Sequence, residues 1–323
     1  MARRTYEWIL PFLFTGGLIL ARYLFPSKMT FITEVALYSL YVMGNNILFG
    51  YLGYVSFGQP VYLSMGAYSA AIYLAYLGRS PLTAILVALL VGILVGVLMG
   101  PVLIRLRGSY FTLVNAAFCA IGLFTVERLL IGITRGNDGL WFRTRMVATP
   151  LLDIRQPKNF FFFAMFVLLV VFLLYRRMDR SVLGAAFKAT QGNERRMQFM
   201  GYDTFKIRWL GFVLATVLST LSGSLYAINF GFVNPNLGEN SRAAEVIVAT
   251  LLGGSGTVYG PFFGAITFLG IKEIVSQWIT RWELLVGVLT IIVLFKFNRG
   301  VWGTFMDLLK RSRKTVVLQK KTP

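Results

Sequence analysis

The sequence predicts an all-α fold: a polytopic membrane helix bundle of about ten spans, with breaks or re-entrant turns where glycines crowd. Three observations predict it. Only 14% of the 323 residues are charged and 56% are hydrophobic, whereas a soluble domain carries about 25% charged residues. The apolar residues come in long uncharged runs, such as Leu82 to Ile104 and Asn159 to Tyr175. The basic residues fall in the gaps between those runs. A helix needs roughly 20 apolar residues to cross about 30 Å of hydrocarbon, and backbone groups in lipid need internal partners, so spans are helices or closed barrels. These runs are too long and too uninterrupted for barrel strands of about ten alternating residues.

Taken in order, the candidate spans are 8–25, 34–53, 60–77, 82–104, 110–133, 159–175, 209–230, 243–259, 262–279 and 283–297. The first follows Arg3 and Arg4 and resembles a signal peptide. Its length of about 18 residues, with no small-residue cleavage site after it, reads as a span instead. Breaks are expected in 34–60 and 243–279. Residues 1–303 are expected to form the membrane domain, with a cytoplasmic loop at about 176–208, and 304–323 a basic cytoplasmic tail.

The net charge is +19. Twenty of the 32 Lys and Arg lie in four places: Arg3 and Arg4, Arg105 and Arg107, segment 176–208, and segment 296–323. That is the positive-inside pattern of cytoplasmic loops, not a basic domain for nucleic acid. It is expected to put both termini in the cytoplasm. Segment 134–158 is the discordant loop, since it would lie outside yet carries Arg135, Arg143, Arg145, Arg155 and Lys158.

Chemistry is sparse. There is no histidine and one cysteine, Cys119, which excludes Cys/His zinc sites and a His-based triad. No metal or cofactor is expected. No G-x-x-x-x-G-K-[ST] loop occurs, so ATP is not bound by a Walker loop, and no enzyme is expected. Charges at membrane depth stand out as Glu127 with Arg128, Arg242 with Glu245, and Lys272 with Glu273. Arg242 and Glu245 are spaced to pair on one helix face. Asn45 and Asn46 lie inside the second span and are read as lining either a path or a packing face. Small residues recur every four positions at Gly92, Gly96 and Gly100, at Gly256, Gly260 and Gly264, and at Ser219, Gly223 and Ala227. Each set is expected to line one helix face and permit close backbone approach. Segment 176–208 alternates apolar and charged residues at helical intervals, as an amphipathic docking element or a lipid-surface helix would.

Several stretches together resemble one family, the LivM-type permeases of branched-chain amino acid ABC importers. They are Gly50 to Gln59 with Gly66 to Tyr68, Leu106 to Phe111 with Gly136 to Gly139, Asn193 to Gly201, Gly253 to Ala265, and Phe297 to Gly303. The resemblance covers roughly residues 34–303. It implies a subunit of a prokaryotic inner membrane that works with a second homologous permease, two cytoplasmic ATPase subunits and an extracytoplasmic substrate-binding protein. It implies a coupling loop at Asn193, Glu194, Arg195, Arg196 and Gly201 that docks on the ATPase. The translocation path is expected to involve Asn45, Asn46, Ser56, Gln59 and Glu127, with substrate passing between two permeases. The family usually has small residues where Arg196 and Met197 stand, often histidine at Gln59, and commonly proline at Asn298. Relatives carry urea, short amides or other amino acids. A stand-alone secondary transporter or channel is the rival reading, and it would need coupling-ion or pore residues at the midplane.

Overall fold

The computed structural model describes residues 2–106, 108–147, 153–277, 284, 287–288 and 300–304. The order of helices is α1 (Ala2–Leu24), α2 (Met29–Asn46), α3 (Gln59–Ile72), α4 (Pro81–Leu103), α5 (Ser109–Phe124), α6 (Ile131–Thr134), α7 (Pro157–Arg180), α8 (Val182–Gly192), α9 (Glu194–Phe199), α10 (Thr204–Phe230), α11 (Ser241–Gly253) and α12 (Gly260–Val275). π-helical turns prolong α2 through Ile47–Tyr51, α3 through Tyr73–Leu77 and α5 through Thr125–Leu129. The fold is helical, as the uncharged runs predict. The two short strands β1 (Leu140–Trp141) and β2 (Phe232–Val233) pair antiparallel. Four segments are long and apolar enough to cross a membrane by themselves: α4, Ser109–Leu129, α7 and α10.

Helix α10 is the axis. It packs on α2, α3 and α4, and 72% of its most apolar stretch is buried, against 28% for α4. Helix α4 therefore turns an uninterrupted apolar face outward, with Leu86, Leu90, Leu94 and Leu98 exposed. Its inner face is the glycine row. A methyl group at Gly92 would strike Thr220, at Gly96 Thr216 and the Val213 backbone, and at Gly100 Trp209. The close approach lets Thr216 Oγ1 reach the Gly92 carbonyl at 3.3 Å and Trp209 Nε1 the Gly96 carbonyl at 3.4 Å. On the other side of α10, Gly223 lies against the Leu63 carbonyl of α3, and Gly66 of α3 against the Thr220 backbone.

One glycine repeat is not a helix face. Gly264 does pack on the α11 backbone at Ala249, and Gly260 on the Gly254 carbonyl just past the end of α11. Gly256 instead sits in the loop before α12 with φ 71°, and Gly254 holds φ 108°. Those left-handed positions end α11 at Gly253, so the expected span 243–259 is a 13-residue helix followed by a turn. At 1.5 Å per residue it is about 20 Å long. The chain also breaks at 52–58, before α3. The expected span 283–297 lies largely outside the described residues, as do 305–323 of the tail.

The helices alternate between two ends. One end gathers the breaks at 52–58 and 254–259 with α8 and α9: one cleft is lined by Leu52 to Val55 and Thr190 to Glu194, another by Asp179, Lys188 and Gly256 to Tyr259. The opposite end holds the β1–β2 ladder and segments 134–147 and 153–156. There Val147 N–H donates to the Arg79 carbonyl at 2.9 Å, and the Arg145 guanidinium to the carbonyl of Ala75. Arg155 pairs with Asp153 at 2.9 Å. The basic residues of this discordant loop are thus partly absorbed by a local carboxylate and by carbonyls at the end of a helix, where cations are favoured.

Candidate functional site: a polar interior and a tethered surface helix

The interior between α2, α3, α10 and α11 is lined with polar side chains. In α2, Asn45 and Asn46 are both fully buried but differ in their bonding. Asn46 is saturated: Nδ2 donates to Tyr175 OH at 2.8 Å and to the Thr257 carbonyl at 3.0 Å, and Oδ1 accepts from Gly256 N–H at 2.9 Å. It fastens the 254–259 turn to α2 and α7, which is a packing role. Asn45 donates to Thr250 Oγ1 at 2.8 Å, while its Oδ1 carries no hydrogen bond.

Ser56 comes from the break before α3 and Gln59 opens α3, and both are fully buried. Gln59 Oε1 accepts from Ser219 Oγ of α10 at 2.8 Å, whereas Gln59 Nε2 and Ser56 Oγ are unbonded. Nearby, Asn115 of α5 accepts from Tyr62 OH at 3.2 Å, and Gly58 packs directly on it. An unsatisfied polar group in hydrocarbon costs several kcal/mol. Asn45, Ser56 and Gln59 therefore keep unfilled hydrogen-bonding capacity in the interior of the bundle. Glu127 does not join them. It lies half-buried in the π-turn after α5, and among the described residues nothing ties it to Asn45 or Gln59.

The charged pairs differ from the spacing-based expectation. Glu245 of α11 pairs with Lys272 of α12 at 3.2 Å, not with Arg242. Arg242 Nε donates to the Asn236 carbonyl at 2.9 Å. Glu273 pairs with Lys28 at 2.9 Å. Lys272, on the neighbouring helix α12, displaces Arg242 as the partner of Glu245.

At the other end of the bundle, α8 and α9 form a surface element. Phe187 is fully buried and seats α8 against Gly211 of α10. Asn193 caps α9, its Oδ1 accepting from Arg196 N–H at 3.0 Å, a bond favoured at helix starts. The helix ends at Gly201, with φ 84°. Tyr202 N–H reaches the Met197 carbonyl at 3.1 Å and Gly201 N–H the Gln198 carbonyl at 2.9 Å, the paired closure that a glycine at this position allows. Asp203 caps α10, and the Lys206 backbone N–H, then the Lys206 ammonium, hold its carboxyl below the usual carboxylate range.

The outward face of this element is apolar and basic. Phe199 is 90% exposed, Met200 and Tyr202 are exposed, and so are Arg195 and Arg196. The inward face is tied down. Glu194 forms an ion pair with buried Arg208 at 3.0 Å and accepts from Thr204 Oγ1 at 3.1 Å. Arg208 Nη1 donates to Tyr54 OH at 2.6 Å, and Tyr54 packs edge-on against Phe111. A continuous chain of contacts thus runs from α9 through Arg208 to the 52–58 break, which carries Ser56 and leads into Gln59. Sequence reasoning named Glu194 but missed Arg208 and Tyr54, because their partners lie across a helix junction.

The sequence profile of the permease component of branched-chain amino acid transport systems matches residues 28–294. The chain belongs to this family. The permease is 25% identical to the high-affinity branched-chain amino acid transport system permease protein LivM of Salmonella typhimurium, over 83% of this chain and 68% of that protein. It is equally similar to LivM of Escherichia coli, at 25% over the same shares. It is 26% identical to the autoinducer 2 import system permease protein LsrC of Yersinia pestis, over 50% of this chain and 46% of that one. No solved structure matches.

Proposed function

We propose that this permease is one membrane subunit of an ABC importer in a prokaryotic inner membrane, carrying branched-chain amino acids with ATP hydrolysed by separate subunits. Both termini are on the cytoplasmic side. A second homologous permease, two ATPase subunits and an extracytoplasmic binding protein complete the assembly. The similarity to LivM over most of the chain supports the substrate class.

The observation that carries the reading is the two-faced surface element at α9. An exposed Phe199, Met200 and Tyr202 beside Arg195 and Arg196 suits a protein groove better than water, while Glu194 and Arg208 link the same turn to the bundle. An amphipathic helix lying on anionic lipid is the bland alternative, held at about 1 kcal/mol per basic residue. The two differ in their demand on shape. Gly201→Val disfavours the left-handed backbone at φ 84° and redirects the chain, but keeps the arginines. It should leave membrane insertion intact and abolish substrate-stimulated ATP hydrolysis in the reconstituted complex. Wild-type stimulation in that variant would count against this docking geometry.

A further inference from the structure

At the end of the bundle opposite α9, four arginines are exposed and lack a carboxylate. Arg79 follows the π-turn of α3, Arg128 lies in the π-turn after α5, Arg135 follows α6 and Arg143 follows β1. No ion pair engages any of them among the described residues. Arg145 and Arg155 of the same end are engaged instead, on the Ala75 carbonyl and on Asp153. Segment 126–147 sets only Glu127 and Asp138 against its arginines, so the surface is net positive.

This surface is a built one. Thr134 Oγ1 donates to the Val126 carbonyl at 2.7 Å, Tyr76 OH to the Ile133 carbonyl at 3.0 Å and Val147 N–H to the Arg79 carbonyl at 2.9 Å. These bonds join 76–79 and 126–147 into one cap, and the β1–β2 ladder fixes the cap to the end of α10. Trp141 stacks on Phe232 with ring centroids 4.6 Å apart, yet is 66% exposed. The stem of Arg143 covers Gly231, where α10 ends: a methyl group there would strike Arg143 Cβ. Arg135 holds φ 61°, the one positive value among the described residues other than glycine. A side chain is uncommon in that conformation, and glycine or asparagine suits it better. The turn alone therefore does not account for an arginine there.

We propose that this surface docks an acidic face of the extracytoplasmic binding protein, with Trp141 as the anchor and Arg135 and Arg143 as the steering charges. The inference rests on the proposed function and deepens it, since the orientation that puts α9 in the cytoplasm puts this end outside. Arginines there work against the positive-inside bias, so they do not set topology. An acidic partner is the charge they complement. Exposed tryptophan beside arginine is the combination that carries interface energy. Tryptophan also anchors helices at the lipid surface, but Trp141 does not stand at the rim. Its stacking partner follows two residues after α10, the most buried of the four long spans, so it lies over the bundle axis and away from lipid.

The test uses the full complex in nanodiscs, reading association and dissociation of the leucine-loaded binding protein at low and high salt. Arg135→Asn suits the left-handed backbone and removes one charge, and Arg143→Gln keeps the packing stem. Together they should slow association about tenfold at low salt, with a flatter salt dependence and little change in dissociation. Arg143→Lys keeps the charge and should associate at the wild-type rate. Trp141→Ala should speed dissociation about tenfold and leave association near that of the wild type. Unchanged rates would overturn the surface. So would a loss confined to nanodiscs that contain phosphatidylglycerol and missing from pure phosphatidylcholine, which would make the patch a lipid contact. A wild-type complex that neither binds the loaded protein nor takes up leucine would overturn the underlying function, and the surface with it. One that transports while the variants bind normally would overturn the surface alone.

Discussion

Asn46 holds three partners that lie 129, 211 and 210 positions away in the chain, on α7 and in the 254–259 turn. Replacing it with alanine leaves the Gly256 N–H and Thr257 carbonyl without this partner. Each such loss costs about 1–3 kcal/mol when buried, so Asn46→Ala should lower the unfolding temperature of the detergent-purified protein clearly. A melting curve like that of the wild type would show that the turn is held elsewhere. That the second span contains two buried amides was legible in the sequence. Which of them packs and which keeps a spare oxygen was not, because the deciding partners are non-local. The same limit misassigned Glu245: its spacing from Arg242 suggested a local pair, and Lys272 on α12 supplies the real one. At Asp203 the depressed carboxyl fixes the sign of a pH effect. The capping contribution is complete above the ordinary carboxylate pKa and is lost as pH falls through the lowered folded value. Hydrogen exchange in the first turn of α10 should therefore stay slow at pH 6 and quicken only in strong acid. Quickening already near the ordinary carboxylate range would contradict this.

Helix α4 meets α10 through glycine, and the two backbones come close enough for side chains of α10 to bond carbonyls of α4. Leucine at Gly96 would collide with Thr216 and the Val213 backbone. Overpacking of this kind costs about 1–3 kcal/mol or more. Gly96→Leu should therefore cut the yield of monodisperse protein in detergent, and unchanged yield would show that the face meets lipid. This face was legible, since a four-residue period inside an uninterrupted apolar run admits only a helix. The same period misled at Gly256, where the repeat crosses a turn; spacing alone does not distinguish a packing glycine from one with positive φ. The junction at α9 is the other element whose wiring was hidden. Arg208→Gln removes the charge facing Glu194 and the bond to Tyr54. Stability should fall by about 2 kcal/mol, and coupling of ATP hydrolysis to uptake should weaken more than basal hydrolysis does. Equal loss of both would assign Arg208 a purely structural role.

Across the whole molecule, the helical bundle was readable from apolar runs alone, and the charge pattern predicts that the end holding α8 and α9 faces the cytoplasm. Helix α1 reaches that end too, since Leu10 lines the same cleft as Asp179 and Lys188. An impermeant thiol reagent should therefore fail to label a cysteine placed near Arg3 in intact cells, and label it after lysis. Labelling before lysis would reverse the orientation. The contacts that join the α9 surface to the interior, and the arginine surface at the far end, became visible only in three dimensions, because each is assembled from several segments of the chain. The subunit division of labour is the central claim, and one measurement bears on it directly: leucine uptake into proteoliposomes holding the chain with its companion permease, both ATPases and loaded binding protein. Uptake should require ATP and vanish when the ATPase subunits are omitted. Robust uptake by the purified chain alone, driven by an ion gradient, would contradict it.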